Sequence, residues 1–180
     1  MIVIEGPDGS GKSTLIKRIS QRFGLNVAPR AANSIKGPVS DLCGWVDDDL
    51  LNWGMTKLRI YDRYPLISEP IYGPMCRGFM PAKMSTSWTR NRTNTFRSMS
   101  LVIWCLPPLE VVKTNVGNGD HMPGVTENID ALWSLYAHAA NTWTGRGMLY
   151  DYSQGDNEAP QLTHMADLIR RHYNSWRFFT

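Results

Sequence analysis

The sequence of 180 residues has few cysteines, little excess of charge and no long apolar run. Its three cysteines, Cys43, Cys76 and Cys105, are odd in number and lack the spacing of a metal site. They predict reduced thiols and exclude a disulfide scaffold. No apolar run approaches the roughly eighteen residues that span a bilayer, which argues against a membrane partner. A net charge of +3 is too small to indicate nucleic acid by itself.

The sequence also lacks repeats, low-complexity tracts and linkers, so we predict a single domain over residues 1–180. With 42% hydrophobic and 19% charged residues, the chain is long enough and apolar enough to bury one core. Met1 leads directly into a strand pattern, which leaves no room for a signal peptide. Together with the reduced cysteines, this favours a cytoplasmic location.

What the sequence does contain is a phosphate-binding loop. Residues 6–13 fit the pattern G-x-x-x-x-G-K-[ST], between a β-branched run at 2–4 and a helical pattern from residue 15. Glycine backbones can wrap a phosphate with their N–H groups, and the following helix N-terminus adds partial positive charge. Lys12 is expected to reach the β- and γ-phosphates, and Ser13 to ligate Mg²⁺. The expected ATP-binding residues are Gly6, Pro7, Asp8, Gly9, Ser10, Gly11, Lys12, Ser13 and Thr14.

Apolar strand-like runs alternate with helical patterns along the chain, which predicts an α/β domain with a mainly parallel sheet. The predicted strands are 1–5, 25–28, 57–61, 101–106 and 148–152. The predicted helices run from the phosphate loop to residue 23 and over 45–53, 125–143 and 162–173. Asp47, Asp48 and Asp49 are expected in the first turn of the second helix, where carboxylates complement the helix dipole.

A second polar motif follows the third predicted strand. Functional groups in such a sheet gather beyond the carboxyl ends of its strands, so Asp62 and Arg63 are expected beside the phosphate loop. There Asp62 would hold Mg²⁺ or take a proton from the acceptor, and Arg63 would neutralise charge on the transferred phosphoryl group. An ion pair that only caps the strand is the structural alternative.

The two motifs together resemble the thymidylate kinase-like branch of the P-loop kinases. The similar residues are 5–14 and Asp62-Arg63-Tyr64 with Ser68, and residues 151–154 match a late loop of that family more weakly. The resemblance implies a P-loop nucleotide kinase fold, with a five-stranded parallel sheet flanked by helices, and phosphoryl transfer from ATP with Mg²⁺. It implies four catalytic residues: Lys12, Asp62, Arg63, and Asp8 facing the acceptor.

The chain departs from that family on the acceptor side. The interval between Lys12 and Asp62 is shorter, and we find in it no counterpart of the family's base-stacking Phe and phosphate-clamping arginine pair. The lid expected near 115–128 contains glycines but no arginine, and His121 is the histidine of interest there. A mobile loop is therefore expected, but an arginine lid of the family type is not.

The sequence is compatible with two kinds of phosphate acceptor. An open acceptor side would admit a nucleotide within a polymer, and some phage-borne relatives phosphorylate the hydroxymethyl group of 5-hydroxymethyluracil in DNA. The arginines at 90–97 would then bind backbone phosphates, while aromatic residues stack on the flipped base; a solvated helix surface is the structural alternative. The location would be the host cytoplasm if the gene is phage-borne.

The other acceptor is a free nucleotide, for a deoxynucleoside monophosphate kinase acting on dTMP. In that case Arg63, with Arg77 or Arg97, would bind the acceptor phosphate. A nucleotide-binding regulator without turnover is a third hypothesis, which nothing in the sequence supports. The acceptor-binding residues expected across these hypotheses are Tyr64, Tyr72, Arg77, Trp88 and Arg97.

Overall fold

The fold is built around a central parallel sheet. The computed structural model describes residues 1–33, 37–53, 57–80, 84, 86–117 and 122–176. The strands are β1 (Ile2–Glu5), β2 (Asn26–Val27), β3 (Ala32–Asn33), β4 (Gly37–Pro38), β5 (Arg59–Asp62), β6 (Leu101–Cys105) and β7 (Arg146–Tyr150). Five of them form one sheet in the order β2-β5-β1-β6-β7, in which every neighbouring pair is parallel. The predicted five-stranded parallel sheet is confirmed, whereas the small antiparallel pair β3–β4 was not predicted.

Helices flank this sheet. They are α1 (Lys12–Phe23), α2 (Leu42–Asn52), α3 (Pro65–Tyr72), α4 (Thr86–Met99), α5 (Leu109–Val116), α6 (Ile129–Asn141) and α7 (Glu158–Trp176). A π-helical turn, Gly73–Arg77, continues α3, and a 3₁₀ turn, Tyr152–Asn157, precedes α7. The sequence patterns predicted α1, α2, α6 and α7 with shifted ends, but they gave no bounds for α3, α4 or α5. The position of α4 agrees with the helix surface that was the structural alternative for residues 90–97.

The core lies on both faces of the sheet because side chains alternate along each strand. Val3, Val102 and Trp104 pack on one face in a cluster that also contains residues of α2, α3, α4 and α6. Ile2 and Ile4 pack on the other face with residues of α1 and α7. Every residue of β1 is buried, as expected for the central strand of a parallel sheet covered on both faces.

One sequence-based expectation about α2 is wrong. The helix begins at Leu42, and the Asp41 carboxylate caps it by accepting the Gly44 N–H at 3.2 Å. Asp47, Asp48 and Asp49 therefore lie in the middle of the helix, beyond the first turn where a carboxylate complements the dipole. Asp47 and Asp49 instead bind side chains of neighbouring elements.

The structure places all three cysteines and gives the lengths of the described helices. Cys43 and Cys105 are buried, Cys76 is half-buried, and none of the three is joined to another in a disulfide. Among the residues described, no helix has the length and apolarity that crossing a membrane requires.

Candidate active site

A cleft of about 720 Å³ lies at the carboxyl ends of β1 and β5 and contains both sequence motifs. One side is the phosphate loop with the start of α1, residues 6–14, which we call the loop wall. The other side, which we call the arginine wall, carries Arg30, Asp62, Arg63, Glu69, Tyr72 and Arg77. The structure thus brings the two predicted motifs into one cavity, together with residues that no motif indicated.

The loop wall is shaped by glycine. Gly6 and Gly11 have positive φ values of 146° and 83°, which residues with a side chain rarely adopt. A Cβ added to Gly6 would lie 2.3 Å from the carbonyl oxygen of Cys105, and one added to Gly11 would lie 2.8 Å from the Tyr152 ring. A side chain at Gly6 would therefore require the end of β6 to shift, and one at Gly11 would require the Tyr152 ring to move.

Lys12 begins α1, and its ammonium group lies inside the loop. Its Nζ donates to the carbonyl oxygen of Pro7 at 2.5 Å and to Ser10 Oγ at 3.5 Å. Burial, helped by the nearby Arg63, lowers the pKa of Lys12 to about 8. The ammonium group is therefore positioned where phosphate oxygens of a bound nucleotide could replace the Pro7 carbonyl.

The Asp62-Arg63-Tyr64 turn aims one arginine at this loop. Among the described residues, Arg63 is the non-glycine residue with a positive φ angle, 66°. This left-handed conformation costs about 1–2 kcal/mol. Two buried bonds hold it: the Arg63 N–H donates to the Ile4 carbonyl at 3.0 Å, and the Tyr64 N–H donates to Glu5 Oε1 at 2.6 Å. The guanidinium consequently donates to the Gly6 carbonyl oxygen at 3.3 Å from Nη2.

Asp8, Arg63 and Tyr72 form a compact network between the two walls. Arg63 Nη2 lies 3.1 Å from Asp8 Oδ2 and donates to the Tyr72 hydroxyl at 2.6 Å. The same hydroxyl donates to Asp8 Oδ2 at 2.7 Å. Burial alone would raise the pKa of Asp8, but Arg63 and Lys12 outweigh it and hold that pKa well below its usual range. Asp8 therefore stays ionised and is a weak proton acceptor.

The remaining cations of the arginine wall are also paired. Arg30 forms an ion pair with Asp62, whose side chain is 8% exposed, and Arg77 forms one with Glu69. Burial raises the pKa of Glu69 although Arg77 opposes that shift. Each of the three arginines of this wall thus has its own carboxylate partner.

Asn115 supports the loop from the far side. Its Nδ2 donates to the Gly9 carbonyl oxygen at 2.8 Å and to the Tyr152 hydroxyl at 2.6 Å. Since the Tyr152 ring packs against Gly11, one amide connects α5, the loop and the turn after β7.

The residues present fit a bound Mg²⁺. Protein sites usually hold this ion through one or two side chains, with phosphate oxygens and water completing the octahedron. Ser13 is exposed and Asp62 offers a carboxylate, and both line the cleft. The described part of the chain has no cluster of three or more His, Cys, Asp or Glu side chains that would form a closed metal site.

Most of the predicted site residues line the cleft. Gly6 and Pro7 belong to the phosphate loop but do not line the cleft themselves, and Tyr64, Trp88 and Arg97 lie away from it. Asp8, Lys12, Ser13, Thr14, Asp62, Arg63, Tyr72 and Arg77 all line it. Tyr64 is fully buried, stacks on Phe96 at 4.4 Å between ring centroids, and donates its hydroxyl to Asp49 at 3.0 Å.

Trp88 and Arg97 belong to α4 and are also engaged away from the cleft. Trp88 Nε1 donates to Asp47 at 3.4 Å, and the Arg97 guanidinium lies 5.2 Å from the Trp143 ring centroid. Arg92 of the same helix pairs with Asp47 at 2.6 Å. Because of these contacts, Tyr64, Trp88 and Arg97 do not reach the acceptor side, which corrects the role expected for them there.

Sequence reasoning missed Glu69, although a helical pattern would have found it. Pro65, Ser68, Glu69 and Tyr72 are spaced as one face of a helix, and all four line the cleft. Arg30 has no local signal, because β3 and β4 beside it are only two residues each. His121 and the centre of the expected lid lie outside the described residues.

Solved structures of known proteins are similar to this fold. No protein-family model and no curated protein matches the sequence. Among solved structures, the YorR protein from Bacillus subtilis, in complex with phosphorylated GDP, is similar over 95% of this chain and 98% of its own, with a TM-score of 0.66 and 17% identity. Deoxyadenosine kinase from M. mycoides with bound dATP is similar over 92% of this chain and 98% of its own, with a TM-score of 0.55 and 16% identity. The same enzyme with bound dCTP covers 93% of this chain, with a TM-score of 0.53. The chain therefore has the P-loop nucleoside and nucleotide kinase fold.

Proposed function

We propose that the protein is an ATP-dependent kinase that phosphorylates a pyrimidine deoxynucleotide. The observation that carries this proposal is one cleft with Lys12 and Ser13 on its loop wall and Asp62 and Arg63 on its arginine wall. Lys12 and the loop N–H groups would bind the β- and γ-phosphates, and Arg63 would neutralise charge on the transferred group. Ser13 and Asp62 would hold Mg²⁺, which neutralises phosphate charge when bound.

The charge balance of the arginine wall favours a hydroxyl acceptor. Its three arginines pair with three carboxylates, Asp8, Asp62 and Glu69, so the wall with its Asp8 partner has no net charge. A monophosphate would bring a charge of about −1.5 to −2 at neutral pH into this environment. A hydroxyl group brings no charge, so it does not compete with these three carboxylates for their arginines.

Asp62 is the better candidate to orient that hydroxyl and accept its proton. Asp8 already binds Arg63 and Tyr72, and its lowered pKa makes it a weak base. Asp62 pairs with Arg30, whose side chain is 55% exposed and therefore easily displaced. Its carboxylate could then turn to the acceptor or to the metal.

Among hydroxyl acceptors, we propose the 5-hydroxymethyl group of 5-hydroxymethyluracil in DNA. The resemblance to phage-borne kinases and the shortened acceptor side support it, and so does the preference for an alcohol. The arginines of α4 support it less than the sequence suggested, because Arg92 and Arg97 are already engaged. DNA phosphates would have to bind other cations, such as the exposed Arg90.

A free-nucleotide kinase acting on dTMP is the second candidate. The bound nucleotides of the similar structures favour it: phosphorylated GDP in YorR, and dATP or dCTP in deoxyadenosine kinase. For this activity the phosphate acceptor would have to separate at least one arginine from its carboxylate.

Phosphate transfer from γ-labelled ATP with Mg²⁺ to several acceptors tests these candidates. The acceptors are DNA containing 5-hydroxymethyluracil, free 5-hydroxymethyl-dUMP, thymidine and dTMP, with Lys12→Ala as the inactive control. Label only in DNA supports the first candidate, and label only on dTMP replaces it with the second. In 5-hydroxymethyl-dUMP, the labelled position distinguishes the alcohol from the phosphate as acceptor. No label on any acceptor contradicts the kinase proposal.

A further inference from the structure

The ion pair between Arg30 and Asp62 uses the carboxylate that the proposed metal needs. Arg30 Nη2 donates to Asp62 Oδ2, and both residues line the cleft. The guanidinium group and Mg²⁺ are both cations, and Mg²⁺ requires oxygen ligands at short distances in a nearly octahedral arrangement. The two cations therefore compete for one carboxylate oxygen, and Arg30 has to leave Asp62 Oδ2 before that oxygen can become a metal ligand.

The backbone on both sides of Arg30 is fixed, whereas its side chain can turn. Before Arg30, the Ala28 N–H donates to the Ile60 carbonyl oxygen at 2.7 Å. After it, the Val39 N–H donates to the Ala31 carbonyl oxygen at 2.8 Å. The Arg30 side chain itself is 55% exposed, so solvent screens its ion pair strongly. Rotation about side-chain bonds can therefore release the guanidinium group without any movement of the backbone.

The other carboxylates of the cleft are already paired. Among the described residues that line it there are three besides Asp62, and each has its own arginine: Asp8 with Arg63, Glu69 with Arg77, and Glu158 with Arg18. The anions left for a released Arg30 are the phosphates of a bound nucleotide. A metal that Asp62 holds also binds phosphate oxygens, so these oxygens would lie close to the guanidinium group that has left the carboxylate.

We propose that Arg30 exchanges Asp62 for the phosphoryl group being transferred when the Mg²⁺-bound nucleotide enters, an inference that rests on the proposed kinase function. Before the exchange, Arg30 keeps the Asp62 carboxylate, which is only 8% exposed, from being a charge without a partner. After it, Arg30 is a catalytic residue that neutralises phosphoryl charge together with Lys12 and Arg63. The exchange makes and breaks no covalent bond, because one cation replaces another on a single carboxylate.

Metal binding to the nucleotide-free protein tests the competition. Mn²⁺ serves as the probe in place of Mg²⁺, and the electron paramagnetic resonance signal of the free ion measures how much is bound. Arg30→Gln removes the competing cation, and we expect it to bind Mn²⁺ roughly tenfold more tightly than the wild type. In an Asp62→Asn background the same substitution should change Mn²⁺ binding less than about twofold, because the shared carboxylate is gone.

Turnover of the same variants tests the phosphate contact. We expect Arg30→Gln to lower kcat roughly 10²-fold at saturating substrates, although it binds the metal more tightly. A purely structural role for Arg30 predicts weaker metal binding together with slower turnover. Arg30→Lys keeps a cation that can contact phosphate, so it should recover about tenfold of the lost kcat. Arg22→Gln, at an exposed arginine of α1, is the matched control and should equal the wild type in both measurements.

The two measurements fail in different ways. If Arg30→Gln binds Mn²⁺ no more tightly than the wild type, or does not bind it at all, Arg30 does not compete for Asp62 and the exchange is overturned. A wild-type kcat in Arg30→Gln overturns the phosphate contact. If no acceptor receives label from ATP, the kinase proposal fails, while Mn²⁺ binding still tests the competition. If label is transferred and the Mn²⁺ affinities are equal, only the exchange fails.

Discussion

The two walls of the cleft are constructed in different ways. The loop wall is contiguous in sequence, and its shape comes from backbone conformations that only glycine adopts easily. The arginine wall consists of side chains from three separate parts of the chain, around residues 30, 62 and 69–77, held by reciprocal ion pairs. The wall proposed to bind phosphate is therefore specified by local sequence, whereas the wall proposed to bind the acceptor is built from side chains that can change without altering the fold.

The largest effect is expected from Lys12→Ala, which removes the cation of the loop wall. We expect phosphate transfer to fall by roughly 10³-fold or more, because Lys12 is positioned to contact the transferred charge. The melting temperature should change little, since burial already disfavours the charged form of this lysine. Labelled transfer from ATP checks the activity, and Lys17→Ala, at an exposed lysine of α1, is the control. Retained activity would remove the phosphate-loop interpretation.

Asp62→Asn tests the arginine wall in the same assay. If Asp62 accepts the proton of an alcohol, turnover should fall roughly 10²- to 10⁴-fold. Asp8→Asn is the informative comparison, because Asp8 is a weak base. Its replacement disturbs the network with Arg63 and Tyr72 but does not remove the group proposed to accept the proton. A loss below tenfold for Asp62→Asn, with a larger loss for Asp8→Asn, would exchange the roles of the two carboxylates.

The contrast between the walls also explains what could be predicted from sequence. The position of the loop wall between β1 and α1 could be predicted, because residues 6–14 are contiguous and fit one pattern; the roles of its residues in binding ATP stay predictions. The position of Asp62 and Arg63 followed from the rule that strand ends gather at one edge of a parallel sheet. Both predictions used local pattern plus topology, and the observed strand order places β5 next to β1 as they require.

The partners of the arginine wall could not be predicted in this way. Glu69 pairs with Arg77 across a π-helical turn, and Arg30 pairs with Asp62 from a distant segment. Tyr64 looked available for base stacking because aromatic residues beside a motif suggest it, but the core uses it against Phe96. Helical spacing could have placed Glu69 on the cleft face of α3, but which carboxylate pairs with which arginine, and which aromatic ring enters the core, depends on tertiary packing that a single sequence does not specify.

Glu5 joins the two walls, and its charge should make stability depend on pH. It precedes the loop and accepts the Tyr64 N–H, and burial raises its pKa from 4.5 to about 7. The folded protein thus binds more protons than the unfolded chain between these pH values, so this contribution to stability is present below pH 4.5 and is lost as pH rises through about 7. The linked change in the free energy of unfolding is on the order of 3 kcal/mol.

Glu5→Gln should abolish that dependence. We expect the free energy of unfolding of the variant, relative to wild type, to rise by about 3 kcal/mol between pH 5 and pH 8. Urea unfolding at several pH values measures the difference, and Glu110→Gln should show none. Parallel curves for Glu5→Gln and wild type would mean that Glu5 is ionised throughout this range.

The smallest effect is expected from Asn115→Ala, which leaves both walls in place and removes only the support behind the loop. The lost amide donates to Gly9 and to Tyr152, and each net hydrogen bond contributes about 0.5–1.5 kcal/mol. Since the bonds position the loop without contacting the acceptor, KM for ATP should rise about three- to tenfold while KM for the acceptor stays constant. Steady-state kinetics with each substrate varied in turn measures both constants, and Asn91→Ala on α4 is the control. An equal rise in both KM values would show that the loop wall and the arginine wall are coupled through Asn115, so that donor and acceptor binding are not independent.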